Sequence, residues 1–275
     1  MSDRGTMLLL GSTGYVGATL LQEVLSSPNI PAVIHTITRQ VKKVTLLNDV
    51  HPAIRAVNGD FSDTNLITSL AEQSDVIVEA ADSDNELLVQ ALAAGARRRK
   101  DKGLVTIFIH VSGTGVLTDD ARGMFEGQVV RLVELREVAC GRGLASHQVR
   151  GCSNLWKLLF RPPCAQIYTD GQPIGTQRPI SAIPDTAFHR AIDLAIEDAD
   201  NQGVWRSHII LPGTVFGSAR GTVFDRGIAN AHSSQIPSQV KTSLERGQPG
   251  MVGVGELLFS FNRVQSSGAA GCWAT

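Results

Sequence analysis

The sequence predicts an α/β protein built on a doubly wound parallel sheet. Two observations indicate this fold class. Short β-branched runs alternate with longer segments of helical periodicity, and three glycines stand three residues apart directly behind the first run, in LLLGSTGYVGATLL. Such alternation is typical of parallel strands that are joined by crossover helices.

The predicted elements follow one another in a regular order. Strands are predicted in MLLLG, AVIHTITR, IRAVNGD, DVIVEAA and LVTIFIHVSG, with a sixth in SHIILPGTVFG near His208. Helices are predicted at 15–26, in VKKVTLLND, in NLITSLAEQ and at 85–100. We expect residues 1–216 to form the sheet domain. Residues 217–275 would form a small, incomplete second lobe, because the tail from Leu257 to Thr275 shows neither helical nor strand periodicity.

Composition limits the classes of partner. The chain has 275 residues, of which 43% are hydrophobic and 19% charged, as in a globular protein with a sizeable core. A net charge of -1 provides no field that would gather nucleic acid or an anionic membrane, so neither is expected as a partner. The absence of a spanning run or signal peptide predicts a cytoplasmic location. Four widely separated cysteines predict neither a disulfide framework nor a metal site.

One segment, 129–166, breaks the pattern. It holds six Arg or Lys residues against two Glu, so it carries a net +4 in a chain of net charge -1, and it contains three of the four cysteines. One interpretation is a surface insertion with a basic helix. The other is a retained intron, because Val129 requires a codon beginning GT and Gln166 allows the codon CAG, which match intron borders. Both interpretations stay open.

The glycine triplet predicts a dinucleotide site. In G-x-x-G-x-x-G between a strand and a helix, the first glycine permits a tight turn, the second admits a pyrophosphate, and the third lets the helix pack on the strand. The helix amino end can then direct its N–H groups at phosphate. The loop residues predicted to bind the cofactor are Gly11, Ser12, Thr13, Gly14, Tyr15, Val16 and Gly17.

The end of the second strand favours NADP over NAD, although NAD stays possible. An NAD site usually places an acidic residue about 20 residues beyond the glycines, to accept from the ribose hydroxyl. No acidic residue lies between Val24 and Asn48, and the strand ends instead in Arg39. A guanidinium there can bind a 2′-phosphate through charge-assisted hydrogen bonds.

Further candidates lie at the ends of later strands. Asp60 could hold the adenine amine with Phe61 against the ring, although Asp after Gly is equally ordinary turn chemistry. Ala80 and Ala81 are small where a cofactor would pass. The run RRRK, at 97–100, is expected to complement the carboxyl end of its own helix.

These motifs resemble the extended and atypical short-chain dehydrogenase/reductases, including NAD-dependent epimerase/dehydratase and NmrA-like proteins. GSTGYVG is similar to their cofactor loop, GDFSD to their adenine loop, HVSGTGVL to the segment after their fifth strand, and LPGTVFG to a P-x-x-x-(Y/F)-G turn that would bring Pro212 to the cofactor. The resemblance covers residues 7–127 and resumes over 167–256. It implies a Rossmann fold and a nicotinamide dinucleotide cofactor.

The resemblance also implies a catalytic Ser and a Tyr-x-x-x-Lys pair. Ser112 stands where that Ser is expected, just beyond the fifth strand. The chain has two tyrosines, Tyr15 in the loop and Tyr168, and Tyr168 is followed four residues later by Gln172. Because a lysine normally lowers the tyrosine pKa from about 10, Tyr168 would be a poor acid or base at neutral pH. Ser112 and Tyr168 are the catalytic candidates.

A substitute for the pair could come from PDTAFHRAIDLAI, at 184–196. Asp185 or Thr186 could cap a helix that brings His189, Arg190 and Asp193 together, and His189 would titrate in a useful range. The favoured alternative makes His189 a packing residue, and Arg190 with Asp193 an i,i+3 surface pair. His110, in the fifth strand, is expected to be structural.

Three functions stay in competition. The first is an NADP-linked oxidoreductase that acts on a small carbonyl or sugar-like substrate near Ser112, with the cofactor supplying the hydride chemistry. The second is an NmrA-like sensor that binds the dinucleotide without turnover. The third is a mis-spliced product without function. The sequence makes no prediction of oligomeric state.

Overall fold

A parallel sheet of six strands organises the protein. The computed structural model describes residues 5–117, 183–250 and 261–263. The strands of the large sheet are β1 (Thr6–Leu10), β2 (Val33–Thr38), β3 (Ile54–Asn58), β4 (Val76–Glu79), β5 (Ile107–Val111) and β6 (Arg206–Ile210). Their order across the sheet is β3-β2-β1-β4-β5-β6, and every neighbouring pair is parallel. The predicted doubly wound fold, including its sixth strand, is confirmed.

Helices cover both faces of this sheet. They are α1 (Tyr15–Leu25), α2 (Val41–Asn48), α3 (Thr64–Glu72), α4 (Glu86–Asp101), α5 (Arg190–Asn201), α6 (Thr222–Asp225) and α7 (Gln235–Arg246), with a 3-10 turn at Thr114–Leu117. The four helices predicted before residue 101 are all present. Among the described helices, none is long and apolar enough to cross a membrane.

The core consists of two apolar layers, one on each face of the sheet. Strand side chains alternate in direction, so Met7 and Leu9 of β1 enter one layer, while Leu8 and Leu10 enter the other. The first layer packs against α1, α2 and α6, and the second packs against α3, α4 and α5. Because both faces of β1 are buried, its run of apolar residues is continuous rather than alternating.

Local signals set several helix ends. The Asp63 carboxylate accepts from the Leu66 N–H at the start of α3, and the Asn85 side chain accepts from the Leu88 N–H at the start of α4, each at 3.0 Å. These side chains satisfy amide groups that have no partner within the helix. They explain why α3 and α4 begin directly after these two residues.

The basic run at the end of α4 does more than complement the helix. Arg99 is almost fully buried and binds the Asp75 carboxylate at 2.5 Å and the Thr106 hydroxyl at 3.1 Å. Asp75 in turn accepts from the Thr6 N–H at 2.7 Å. The guanidinium therefore joins α4 to the amino ends of β4, β5 and β1. In contrast, Arg98 forms an exposed pair with Glu72.

A second, two-stranded sheet lies beyond β6. It pairs β7 (Thr214–Phe216) with β8 (Phe261–Arg263) in parallel. Part of the tail that shows no sequence periodicity is thus a strand. Val223, Phe224 and Ile228 are buried in the core layer that holds α1, so residues after 216 pack onto the main sheet. The domain boundary at 216 stays a prediction, and the segment 129–166 lies outside the described residues.

The Arg99 contacts predict an asymmetry between neighbouring arginines. Arg99→Leu should lower the free energy of unfolding by about 2 to 4 kcal/mol, because it leaves Asp75 and Thr106 without their buried partner. Arg98→Leu should change it by about 1 kcal/mol at most, because its pair is exposed. Urea unfolding of the two variants measures both values. Equal losses would contradict the role assigned to Arg99.

Candidate functional site

The glycine loop between β1 and α1 is the tightest part of the fold. Gly11 has a φ of +88°, and a Cβ there would collide with the carbonyl of Ala80 at the end of β4. A Cβ on Gly17 would collide with the carbonyl of Gly11. Packing of β1, β4 and α1 therefore accounts for both glycines, in the roles that the sequence predicts for the first and third positions.

Gly14 is different, because packing constrains it less strictly than the other two glycines. Its backbone is extended, with φ -90° and ψ 169°, which any residue can adopt. It is exposed, and the nearest atom to a built Cβ is the Gly11 carbonyl oxygen at 3.3 Å. No side chain caps α1, and its first turn has no acidic residue. The backbone at Gly14 is therefore open to a group from outside, beside helix N–H groups that favour an anion.

Polar contacts fix the loop in place. Ser12 is buried and accepts a 2.6 Å hydrogen bond from the Thr36 hydroxyl of β2. The Tyr15 hydroxyl donates to the Gly217 carbonyl at 2.9 Å, and burial raises the pKa of this phenol. Thr13 and Val16 are half-buried. The Tyr15 side chain thus ties the start of α1 to the turn after β7, while its backbone stays at the helix start.

A cleft opens beside the loop, at the carboxyl ends of β2, β3 and β4. Its volume is about 330 Å³. Four of the predicted cofactor residues line it, namely Arg39, Asp60, Phe61 and Ala81. Four residues that the sequence did not single out also line it, namely Ser62, Asp82, Asn85 and Leu87. Ala80 borders the loop through Gly11, and Pro212 lies between β6 and β7.

Two side chains of opposite charge in this cleft partly neutralise each other. Arg39 Nε lies 3.9 Å from Asp60 Oδ2, with 83% of the Arg39 and 50% of the Asp60 side chain exposed. The Ser62 N–H donates to Asp60 at 2.9 Å. This backbone bond, helped by the Ser62 hydroxyl and Arg39, lowers the pKa of Asp60. An exposed guanidinium paired this loosely is free to turn toward a phosphate.

A second polar group lies buried where β4 and β5 end against α5. It contains Glu79, His110, Ser112, Arg190 and Asp193, each 7% exposed or less. His110 Nδ1 lies 2.8 Å from Glu79 Oε2, and His110 Nε2 lies 3.9 Å from Asp193 Oδ1. Ser112, the predicted catalytic serine, is at one end of this group, and its N–H donates to the Ile210 carbonyl at 2.9 Å. We name these five residues the buried polar cluster.

The structure corrects two expectations for residues 184–196. The helix begins at Arg190, directly after His189, so neither Asp185 nor Thr186 caps it. Arg190 and Asp193 are 4% and 3% exposed, so they are not a surface pair, and Arg190 binds Glu197 at 2.8 Å instead. The prediction of a surface pair was wrong because it used the periodicity of the helix alone, whereas the first turn of α5 packs against the end of β5.

His189 itself is held rather than free. It has a φ of +66°, which is rare for a residue with a side chain. Its Nδ1 lies 2.6 Å from the Asp84 carboxylate and 3.2 Å from the Ser83 hydroxyl. Its ring covers Gly113 and Gly115, where a Cβ would meet it at 3.2 to 3.3 Å. His189 therefore closes the turn that follows Ser112.

Tyr168, the other catalytic candidate, lies outside the described residues, so its role stays a prediction. Within 5–117, 183–250 and 261–263, no three His, Cys, Asp or Glu side chains are placed to hold a metal ion. Glu79 was not predicted from the sequence to belong to a site. An acidic residue at the end of the otherwise apolar run DVIVEAA was the signal that could have indicated it.

One curated protein is similar in sequence to this chain. No protein-family model matches the chain. The chain is 26% identical over 249 residues to the oxidase ucsJ of an Acremonium species, covering 90% of this chain and 59% of that protein. It thus spans less than two thirds of that relative.

Solved structures were found that resemble this chain at low sequence identity. PbgP3 from Burkholderia pseudomallei superposes with a TM-score of 0.51 at 14% identity, over 94% of this chain and 67% of PbgP3. A double mutant of DesIV, a dTDP-glucose 4,6-dehydratase from Streptomyces venezuelae solved with NAD and DAU, gives 0.49 at 18% identity over the same shares. The superposition on PbgP3 shows a shared fold, the doubly wound parallel sheet that the sequence predicts.

The glycine geometry predicts opposite outcomes for two similar substitutions. Gly17→Ala should lower the free energy of unfolding by about 1 to 3 kcal/mol, because its methyl group overlaps the Gly11 carbonyl. Gly14→Ala should cost about 1 kcal/mol at most, because its methyl group would meet the Gly11 carbonyl oxygen at 3.3 Å, a tight contact that a small shift relieves. Thermal or urea unfolding compares the two. A Gly14 variant that is the less stable of the pair would contradict the geometry.

Burial of Asp193 predicts a pH dependence of stability. Desolvation raises the pKa of Asp193, although Ser112, His110 and Arg190 oppose the rise. A carboxyl with a raised pKa stabilises the fold fully below its unfolded pKa, near 3.8, and loses that contribution as the pH rises through the folded value. Asp193→Asn should therefore gain stability relative to the parent chain as the pH rises above 3.8. Urea unfolding at a series of pH values measures this difference, and a constant difference would contradict it.

Proposed function

We propose that this chain is an NAD(P)-dependent oxidoreductase of the extended or atypical short-chain dehydrogenase/reductase class, acting on a small carbonyl or sugar-like substrate. The observation that carries the proposal is Gly14. Packing excludes a side chain at its two companion glycines, whereas the Gly14 backbone is exposed at the uncapped start of α1, where an external group can approach it. A diphosphate fits that position, because it is anionic and needs close backbone approach.

The cleft offers a place for the adenosine half of the dinucleotide. A ligand whose diphosphate lies over Gly14 would reach past Ala81 into the space bounded by Arg39, Asp60 and Phe61. Phe61 offers an apolar surface to an adenine ring, and Asp60 offers an acceptor to its amine. These are the groups that an adenosine needs, and they lie at the topological switch point between β1 and β4, where such folds bind ligands.

NADP is the favoured cofactor, with NAD as the alternative. Arg39 stands at the end of β2, where the ribose would lie, and is the most exposed member of its ion pair. A 2′-phosphate would draw the guanidinium from Asp60, which leaves Asp60 available to the adenine. Charge-assisted hydrogen bonds of this kind contribute about 1.5 to 3 kcal/mol.

The substrate end of the site is expected at Ser112. When bound, the nicotinamide would supply hydride chemistry, and the protein would orient the reacting carbonyl. The Ser112 hydroxyl has no aligned hydrogen-bond partner among the described residues, so it can donate to a substrate oxygen. The name oxidase of the relative ucsJ is consistent with redox chemistry, although the chain covers only 59% of that protein. A small-molecule substrate and a cytoplasmic location go with this proposal.

A dinucleotide sensor is the second candidate. The observation that favours it is the absence of any Tyr-x-x-x-Lys sequence in the chain. An NmrA-like protein of this kind would bind the cofactor at the same loop and cleft but would not turn it over. Binding alone therefore does not separate the two candidates, and turnover does.

Cofactor binding tests the premise that the two candidates share. Titration calorimetry with NADPH and NADH should show tighter binding of NADPH. Gly14→Ala should weaken both about tenfold or more, because its methyl group occupies the diphosphate position. Arg39→Ala should weaken NADPH about 10- to 150-fold and leave NADH unchanged, which corresponds to the loss of 1.5 to 3 kcal/mol.

Lys42→Ala is the matched control, because Lys42 is an exposed cation three residues from Arg39 and lies outside the cleft. It should bind both nucleotides as the parent chain does. Failure of the parent chain to bind either nucleotide would overturn the proposal. Nicotinamide absorbance, followed with a panel of aldehydes, ketones and nucleotide sugars, then distinguishes the enzyme from the sensor.

A further inference from the structure

Polar atoms without an aligned hydrogen-bond partner are concentrated in the buried polar cluster. All five of its residues have such atoms among the described residues: Glu79 Oε2, both ring nitrogens of His110, Ser112 Oγ, Arg190 Nε and Asp193 Oδ1. Burying a polar group without a partner costs about 1 to 3 kcal/mol. Native cores keep few such groups, and those that persist are concentrated at functional sites.

These atoms form a continuous path rather than a scatter. The Ser112 hydroxyl lies beside the Asp193 carboxylate and stabilises its charged form. Asp193 Oδ1 faces His110 Nε2 at 3.9 Å, and the opposite ring nitrogen of His110 lies 2.8 Å from Glu79 Oε2. The 2.8 Å separation is within hydrogen-bond reach, whereas proton transfer between Asp193 and His110 requires a side-chain rotation that closes the 3.9 Å separation.

The inner end of the path is fixed. Glu79 Oε1 accepts from the N–H groups of Ala81 and Asp82, each at 2.8 Å, which holds the carboxylate at the end of β4. Its other oxygen stays directed at His110. A carboxylate that orients a histidine, which in turn faces a second proton-carrying group, is the arrangement by which proteins set the direction of proton transfer.

Near the outer end of this path, the Asp193 carboxyl can gain or lose a proton. Arg190 and Glu197 both influence Asp193, but the Arg190 guanidinium is already bound to Glu197 at 2.8 Å. His189, the next cation candidate, is bound to Asp84. Asp193 therefore has no dedicated counter-ion among the described residues, and burial favours its protonated form.

We propose that Asp193, His110 and Glu79 form a proton relay that ends at the Ser112 hydroxyl and performs the acid–base work that a Tyr-x-x-x-Lys pair would otherwise do. This inference rests on the proposed function. When a carbonyl is reduced, its oxygen takes the Ser112 proton, Ser112 recovers a proton from Asp193, and Asp193 recovers one from His110. After the product leaves, one proton from water enters at Ser112 and passes through Asp193 to His110, so these three groups regain the protons that they gave, while Glu79 orients His110 and transfers none. The balancing hydride comes from the nicotinamide dinucleotide named above.

Ser112 is the catalytic residue in this scheme, because it touches the substrate oxygen. Asp193, His110 and Glu79 act through it. The same relay runs in reverse when an alcohol is oxidised, with Ser112 accepting the hydroxyl proton and Asp193 taking it up. Because each group transfers one proton and then regains one, no metal or further oxidant is required.

The first test uses the full chain without cofactor. NMR of ¹³C-carboxyl aspartate should show that the titration of Asp193 depends on its neighbours in the buried polar cluster. Glu79→Gln or His110→Gln should move the Asp193 midpoint by about one pH unit or more, as expected for interacting sites. Asp200→Asn is the matched control, since Asp200 is on the same helix but binds Ser207. An Asp193 that titrates independently of His110 would overturn the relay.

The second test uses the chain with NADPH and the best carbonyl of the panel. Asp193→Asn should lower kcat about 100-fold or more and abolish its pH dependence, while NADPH affinity changes less than about twofold. Asp193→Glu should recover part of the rate, and Asp200→Asn should leave it unchanged. Ser112→Ala combined with Asp193→Asn should be no slower than Ser112→Ala alone, because Asp193 acts only through Ser112.

The outcomes separate the two proposals. A parent chain that does not bind NADPH, or binds it and reduces nothing, overturns the proposed function and the relay with it. A parent chain that turns over, with an Asp193→Asn variant that keeps the parental kcat and pH profile, overturns the relay alone. Retained NADPH binding by each variant shows that its loss of rate is not a loss of fold.

Discussion

The close approach of α1 to the turn that ends β1 is the constraint on which the site depends. Gly11 lies against the Ala80 carbonyl and Gly17 against the Gly11 carbonyl, so the strand, its neighbour and the helix meet with no space for a side chain. This contact fixes where the helix starts. It thereby places the helix N–H groups, the cleft at Arg39 and Asp60, and the end of β4 with Glu79 along one edge of the sheet.

Most of this sheet was predictable from the sequence, because the residue patterns that produce its strands and helices lie within each element. Strands buried on both faces need continuous apolar runs, and helices that cover them need a 3.6-residue period, so both patterns are visible in the first hundred residues. The predicted helix at 15–26 differs by one residue from α1, and the predicted start at residue 85 is the Asn that caps α4. The four cleft residues Arg39, Asp60, Phe61 and Ala81 were accessible for the same reason, because each directly follows a predicted strand.

The buried polar cluster was not predictable in this way. Whether Arg190 and Asp193 face water or protein depends on how α5 crosses the end of β5, and periodicity within α5 does not contain that information. His110 was expected to be structural, and Glu79 was overlooked, although a carboxylate inside an apolar strand must have a reason to be there. The expected role of His110 stays a prediction, whereas Glu79 was not predicted at all. The contacts of His110 join residues that are up to 83 positions apart, and a pattern within one element cannot show them.

The position of β6 has a consequence for how the chain reaches its final form. Strands β1 to β5 occupy a contiguous stretch that ends at Val111, whereas the strand that covers β5 begins only at Arg206. During synthesis the ribosome therefore completes five strands long before their outer neighbour emerges. Until then β5 presents unpaired backbone groups, which attract other chains.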